Sequence, residues 1–380
     1  SVKDLTSSDR AVWASFVLAL KDQQWIWCED LNKSVAAKVN ELNMCKGTYA
    51  FHSQSAFPIG AVTTPGGTGI AVAWPMDNPR FYQQSFTLKE GGYGELVLSV
   101  PLGITKLTSK FPSRADFDVV LYSFNGNGRF RSAMSDYYRF FPNCFKVNVK
   151  EQGIWTLWLC PDLDEYAKKM GVMYNEAEFD LNYIDQVVYD EKHGYKSYQY
   201  SEPWGLWHPI PPGWRDKQTL PKYELLSPFE AAMPQKPLEE LIKADLGSNA
   251  PADRFPAVSR DYVAKTMLST AIWRDEDANW LVYHYSPKGF GWGDERKGWD
   301  NMVVICNPDP DIPHPNRSDL AWDGQYMHAE KLSAEKGAHI DGLYVDSLMF
   351  FMAWEQMNYR KDQWQYADTP LTYEIGRAHV

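Results

Sequence analysis

The chain has 380 residues, 44% of them hydrophobic, and a formal net charge of −11. That length suits two globular domains, and the negative balance argues against a nucleic-acid backbone as partner. No run approaches the ~18 consecutive apolar residues that a membrane-spanning helix requires.

The first long apolar stretch, residues 11–20, is broken by Ser15 and followed by charge. It reads as a strand or short helix and not as a signal peptide. From Phe51 to Tyr122 short strand patterns alternate with turns. Thr64-Pro65-Gly66-Gly67 is a turn before the apolar run 69–74, and Gly91-Gly92-Tyr93-Gly94 is a turn before 95–100. Phe117, Val119 and Leu121 alternate along a further strand. Asn125-Gly126-Asn127-Gly128 then supplies residues that tolerate positive φ. Strands at this spacing predict a β-sandwich. Phe130, Ala133, Met134, Tyr137, Tyr138 and Phe141 recur at helical spacing until Pro142. That stripe is expected to pack between the sandwich and the next domain.

Near Ile154 strands begin to alternate with helices. Residues 154–159 form a continuous apolar strand, and 182–193 a helix with Gly194 in the C′ position. A strand over 195–201 runs into Glu202-Pro203-Trp204. Helices are expected over 237–246 and after Ser259 as N-cap, with Val263, Met267 and Leu268 inward. A strand over 302–306 leads into Asn307-Pro308-Asp309-Pro310. A helix over 325–336 stops at Gly337, and a buried strand over 340–345 ends at Asp346. Alternation of this kind implies a parallel sheet. A doubly wound nucleotide fold would place a glycine-rich turn after the first strand, where the chain has Leu159-Cys160-Pro161-Asp162. A (β/α) barrel instead collects its chemistry at the C-terminal strand ends. Glu202, Asn307, Asp309 and Asp346 lie there, and the segments 205–237 and 285–300 read as long loops on the same face. The barrel is the better fit, with about four of its eight strands present.

The expected fold is therefore a β-sandwich over 1–150 followed by an incomplete α/β (β/α)8 TIM barrel over 151–374. The terminal residues 374–380 match the translation of a common sequencing-library adapter, so 375–380 read as artefact. A gene cut at that point is expected to yield an inactive fragment. The N-terminal residue is Ser1, and a periplasmic or secreted setting is favoured.

Sixteen Trp and 22 Tyr supply flat apolar faces with polar edges, which suit sugar rings or a large core. Asp346, just past a buried strand, meets the demands on a nucleophile or general acid/base in glycoside hydrolysis. Its alternative role, weighed below the catalytic one, is the N-cap of a following helix. Glu202 is the second catalytic candidate, with Trp204, Trp207 and His208 beside it as substrate contacts. Asn307, Asp309, Trp322, Asp323, Arg360 and Asp368 are further candidates to bind sugar hydroxyls, although Asn-Pro-Asp-Pro is also turn chemistry. The five Cys show no CxxC, the His show no HExxH, and no GxSxG occurs. No cofactor or catalytic metal is expected. The partner is expected to be a carbohydrate substrate.

Several short motifs carry a family resemblance. They are Phe130-Arg131 through Asp136-Tyr137-Tyr138 to Phe141-Pro142, Gly153-Ile154-Trp155, Ser201-Glu202-Pro203-Trp204, residues 341–347, and Tyr366 through Thr372. Over residues 50–373 the layout resembles glycoside-hydrolase-like proteins with an N-terminal β-sandwich and a (β/α)8 barrel, of the α-galactosidase type. That resemblance implies a catalytic carboxylate at Asp346, with a partner often supplied by a later strand, and Glu202 then a substrate contact. Rival functions are another barrel chemistry, such as a lyase or transglycosylase, and a non-catalytic carbohydrate-binding protein.

Overall fold

A computed structural model describes residues 1–21, 24–44, 57–78, 80–157, 164–177, 183–211, 225–227, 230–233, 235–245, 255, 257–272, 279–285, 300–346, 358 and 360–372. The chain divides into two units, Ser1–Asn148 with the segment from Lys361 onward, and Val149–Arg360.

The first unit is built from antiparallel sheets. One has five strands in the order Val120–Asn125, Thr68–Ala73, Ile59–Thr63, Ile26–Cys28 and Ser34–Ala36. The other has four, Arg10–Leu20, Gly94–Ile104, Gln83–Leu88 and Leu42–Met44. The period of two along each strand sends alternate side chains to opposite faces. Trp27, Val62 and Val72 of the first sheet therefore meet Phe86, Leu96, Leu98 and Val100 of the second in one core. Cys28, Ala61 and Ala71 face the other way, onto Phe130, Ala133 and Tyr137 of the helix Arg129–Phe140. The aromatic stripe thus packs on a sheet of its own unit. The turn before that helix also departs from expectation. Positive φ falls on Arg129, at 50°, and not on the Asn-Gly pairs. The cause is local: Asn125 Oδ1 accepts a hydrogen bond from the Asn127 amide at 3.1 Å, and Gly126–Gly128 closes as a 3-10 turn.

In the second unit a parallel sheet runs in the order Ile154–Leu157, Val172–Ala177, Lys196–Ser201 and Gly342–Val345. Helices Tyr183–His193 and Met327–Glu335 cover one face, where Val187 and Ala329 pack with Ala177, Ala338 and Ile340. Each helix gives way to a left-handed glycine, Gly194 at φ 75° and Gly337 at φ 77°. The opposite face carries Trp155, Tyr174, Tyr198, Tyr200 and Tyr344, with ring centroids 4.9–6.2 Å apart from Trp155 to its three neighbours. The strand 172–177 escapes a hydrophobic reading because Asn175 and Glu176 are buried polar residues. Their partners come from elsewhere in the fold: Asn175 Nδ2 donates to Asp190 Oδ2 at 2.8 Å, and Trp155 Nε1 donates to Glu176 Oε2 at 3.2 Å.

A second sheet of this unit is antiparallel, in the order Gly205–Ile210, Asp300–Ile305, Trp280–Tyr285, Glu230–Met233 and Leu225–Ser227. Helices Gln235–Lys243 and Arg260–Thr270 seal it, with Leu238, Leu241, Val263 and Met267 against Leu206, Val282, Met302 and Val304. Ser259 caps the second helix, accepting from the Tyr262 amide at 3.2 Å. Three expectations are corrected by these sheets. The strand placed at 302–306 is not a parallel barrel strand, since it runs antiparallel between two neighbours. An apolar run buried on both faces looks the same in either sheet type. The segment from Gly205 begins as a strand and not a loop, and its edge position tolerates Pro209. The strand ending at Val345 is not fully buried, with Leu343 38% and Val345 41% exposed. No closed barrel is present among the described residues. Of the loop expected over 285–300, Tyr285 and Asp300 belong to strands, and 286–299 lie outside the described residues, as do Cys45, Cys160, Ser347 and the terminal 373–380.

Asp190 ties the helix Tyr183–His193 to the parallel sheet. It accepts from Asn175 Nδ2, from Ser197 Oγ at 2.6 Å and from Gln186 Nε2 at 2.9 Å, and is fully buried. Burial raises its carboxyl above the ordinary 3.8, against the opposing pull of those hydrogen bonds. A raised folded-state value means that its contribution to stability is present below 3.8 and lost as pH rises through the folded value. Asp190→Asn, which a turn of the Gln186 amide accommodates, should remove this component of the pH dependence. Asp190→Ala leaves two buried donors, Asn175 Nδ2 and Ser197 Oγ, without this acceptor and should cost about 3 kcal/mol. Urea unfolding at acidic and neutral pH checks both; an alanine variant as stable as the parent would refute the role of the network.

Candidate active site

The parallel ladder brings two carboxylates together. Ser201 pairs with Val345, and the Asp346 amide continues the ladder by donating to the Ser201 carbonyl at 3.0 Å. At the other end of the same pair Asp341 replaces a ladder partner. It accepts from the Ser197 amide at 3.0 Å and from Lys196 Nζ at 2.9 Å, while its own amide donates to the Ser197 carbonyl at 2.8 Å. With register held at both ends, the residues just beyond the two strands, Glu202 and Asp346, emerge side by side.

Tyr200 stands between them. Its hydroxyl oxygen lies 2.7 Å from Glu202 Oε1 and 2.8 Å from Asp346 Oδ2, so those carboxyl oxygens are at most 5.5 Å apart. Trp207 Nε1 donates to the other Glu202 oxygen. Trp204 Nε1 donates to the Asp346 carbonyl at 3.2 Å, and Tyr344 Oη lies 3.5 Å from Asp346 Oδ1. Two bare carboxylates at that spacing repel by roughly 3 kcal/mol at an effective dielectric of about 20. The phenol and indole donors offset that repulsion. Burial, and then the Glu202 charge, hold the Tyr200 phenol far above its ordinary value, so it stays a proton donor throughout the neutral range.

Arg317 braces the turn that carries Glu202. It is 2% exposed at the start of the short helix Arg317–Ala321, capped by Asn316. Its guanidinium donates to the Glu202 carbonyl at 2.9 Å and twice to the Gly205 carbonyl, at 2.8 and 3.1 Å, and lies 5.6 Å from the Phe255 ring centre. A cavity of about 10 Å3 lined by Tyr200, Glu202, Trp207, Arg317 and Gln325 sits here. That is room for a single water and not for a sugar.

The predicted site residues thus separate into those that converge and those that do not. Asp346, Glu202, Trp204 and Trp207 form one cluster, with Glu202 8% exposed and Asp346 more open. His208 follows Trp207 on the same strand, opposite Met302, and is also buried. Asn307 and Asp309 sit past the end of an antiparallel strand, where each carboxamide or carboxylate accepts a backbone amide two residues on. Trp322 is 51% exposed and stacks on Tyr326 across a π-helical turn, with Asp323 exposed beside it. Arg360 donates to the Leu268 carbonyl at 2.8 Å. Asp368 belongs to the first unit, exposed and paired with Lys110. Tyr200 and Arg317 escaped the sequence reading. The first was accessible, two residues before Glu202 on one strand face. The second, a buried arginine fixed by remote carbonyls, left no local signal. Among the described residues no cluster of His, Cys, Asp and Glu could hold a metal, and no helix is long and apolar enough to cross a membrane.

No protein-family model and no curated protein matches the chain. Among solved structures, an α-galactosidase from Lactobacillus brevis aligns with 50% of this chain and 32% of its own, at 10% identity and a TM-score of 0.34. A GH36 α-galactosidase from Geobacillus stearothermophilus, solved with stachyose, aligns with 56% of this chain and 35% of its own, at 11% identity and a TM-score of 0.32. The same enzyme with 1-deoxygalactonojirimycin gives a TM-score of 0.33. The chain spans about a third of the length of these enzymes.

Arg317→Lys keeps the charge but loses the planar fork that reaches two carbonyls. It should destabilise the chain by about 1–3 kcal/mol, the cost of buried acceptors left without donors. Chemical denaturation checks this, and a variant of parental stability would show that the brace is dispensable.

Proposed function

We propose that the protein is a glycoside hydrolase that cleaves glycosidic bonds of an oligo- or polysaccharide with the pair Asp346 and Glu202, on a sandwich-then-barrel layout. One observation carries this reading: two carboxyl groups at the C-terminal ends of adjacent parallel strands, with facing oxygens no more than 5.5 Å apart. Carboxyl separations of about 5–5.5 Å suit retention of anomeric configuration, whereas inversion needs about 6.5–9.5 Å to admit a water.

In this scheme Asp346, the more open of the two, attacks the anomeric carbon. As the glycosidic bond breaks, its electron pair stays on the leaving oxygen, which takes a proton from Glu202. A water then attacks the same carbon and gives a proton back to Glu202, and the Asp346–sugar bond breaks to restore the carboxylate. The aromatic rings of the same sheet face supply apolar surface of the kind that sugar rings stack on. A carbohydrate-binding protein without turnover would need the rings but not the carboxyl pair.

The complete gene product, assayed on a panel of glycosides, should release the anomer that retains configuration, as read by proton NMR at early times. Glu202→Gln should lower kcat by about 10²–10⁴-fold, the usual worth of a general acid/base, and Asp346→Asn by at least as much. Binding without turnover, or turnover indifferent to Asp346→Asn, would refute the assignment.

A further inference from the structure

Between the helices Arg317–Ala321 and Met327–Glu335 the chain makes a π-helical turn, Trp322–Tyr326, in which the Met327 amide donates to the Trp322 carbonyl five residues back. The wider turn changes the phase of the helical run. Leu320 before it packs with Phe255 and Met267, whereas Ala329 after it packs with Ala177 and Ile340 under the parallel sheet. Gln325 lies at this change of face. It lines the small cavity beside Glu202, together with Arg317, Tyr200 and Trp207. Glu202, Arg317 and Gln325, 8%, 2% and 7% exposed, thus reach one space from a strand end, a helix start and a π turn.

The cavity has room for one water, and cavities that stay dry are apolar. The chemistry of these walls suits a single water. An ionised carboxylate only accepts and a guanidinium only donates, so a water there donates to Glu202 and accepts from Arg317. Its second proton goes to the Gln325 amide oxygen, which completes the roughly three hydrogen bonds that a buried water makes. Glu202 has a place for it. A carboxylate offers about four lone-pair sites, and Tyr200 and Trp207 take one on each oxygen.

We propose that Gln325 is a positioning residue of the active site, which holds one buried water against Glu202 and so keeps that carboxyl turned toward the cleft. The catalytic meaning rests on the glycosidase reading above; the water site rests on the cavity and its walls. Asp346 is not among the residues that line the cavity, so this water is not the one that attacks the anomeric carbon. It serves the general acid instead. Tyr200 and Trp207 hold the two carboxyl oxygens, Arg317 holds the Glu202 carbonyl, and the water adds a tie to the helical run. Without that tie the carboxyl can turn into the cavity and away from the leaving oxygen.

Gln325→Met keeps the volume and removes both hydrogen-bonding groups of the amide. A high-resolution crystal structure of the parent chain should show one water within about 3 Å of a Glu202 carboxyl oxygen, an Arg317 nitrogen and the Gln325 amide. In Gln325→Met that water should be gone and the Glu202 carboxyl rotated. On the complete gene product, kcat/KM of Gln325→Met should fall by about 10–10²-fold on alkyl glycosides, whose leaving oxygen needs a well-aimed proton. Dinitrophenyl glycosides of the same sugar, whose leaving group departs without a proton, should stay within about threefold. The ratio of the two rates cancels any loss of folded protein. Gln325→Asn, an amide one methylene shorter, should recover most of the alkyl activity. Equal losses on both substrates, or a cavity without water in the parent, would overturn the proposal. A water displaced and a carboxyl rotated, with no glycoside turned over by the parent, sinks the glycosidase reading and keeps the positioning. Parental turnover with an unchanged ratio in Gln325→Met does the reverse.

Discussion

The parallel pairing of Lys196–Ser201 with Gly342–Val345 is the constraint on which the site depends. These strands are separated by about 140 residues of chain, yet their register decides which side chains leave the sheet together. Asp341 holds one end through the Ser197 amide and Lys196, and the Asp346 amide holds the other through the Ser201 carbonyl. A slip of one residue would send Asp346 to the helix-covered face and leave Glu202 with no partner.

The two faces of this sheet divide the labour. The side under the helices buries apolar residues and the Asp190 network, which trades an ionisation cost for two hydrogen bonds that fix helix to strand and a third within the helix. The other side carries aromatic rings and ends in the carboxyl pair, where donors from Tyr200 and Trp207 offset charge repulsion. Arg317, at the start of its short helix, extends the support by taking the Glu202 and Gly205 carbonyls of the turn that carries Glu202. Charge is held in place there by backbone acceptors and by a ring face.

Much of the fold was legible in local pattern. The helices after Arg129, Tyr183 and Arg260, the cap at Ser259 and the glycine stops at Gly194 and Gly337 all follow from periodicity and terminal chemistry. The strand ending at Ser201 was readable, and with it the period of two that aligns Tyr198, Tyr200 and Glu202. The strand through Asn175 and Glu176 was not, because its polar residues are satisfied by partners far along the chain.

Sequence alone determined the character of the pieces: which segments bury a face, where helices start and stop, and that acids stand at strand ends. Those properties depend on neighbours within a few residues. Tertiary structure alone decided that the run ending at Ile305 is antiparallel, that Asn307 and Asp309 serve a turn, and that Glu202 and Asp346 share one tyrosine. Strand direction and partner choice are set by hydrogen bonds between remote backbones, and no local pattern of side chains encodes them.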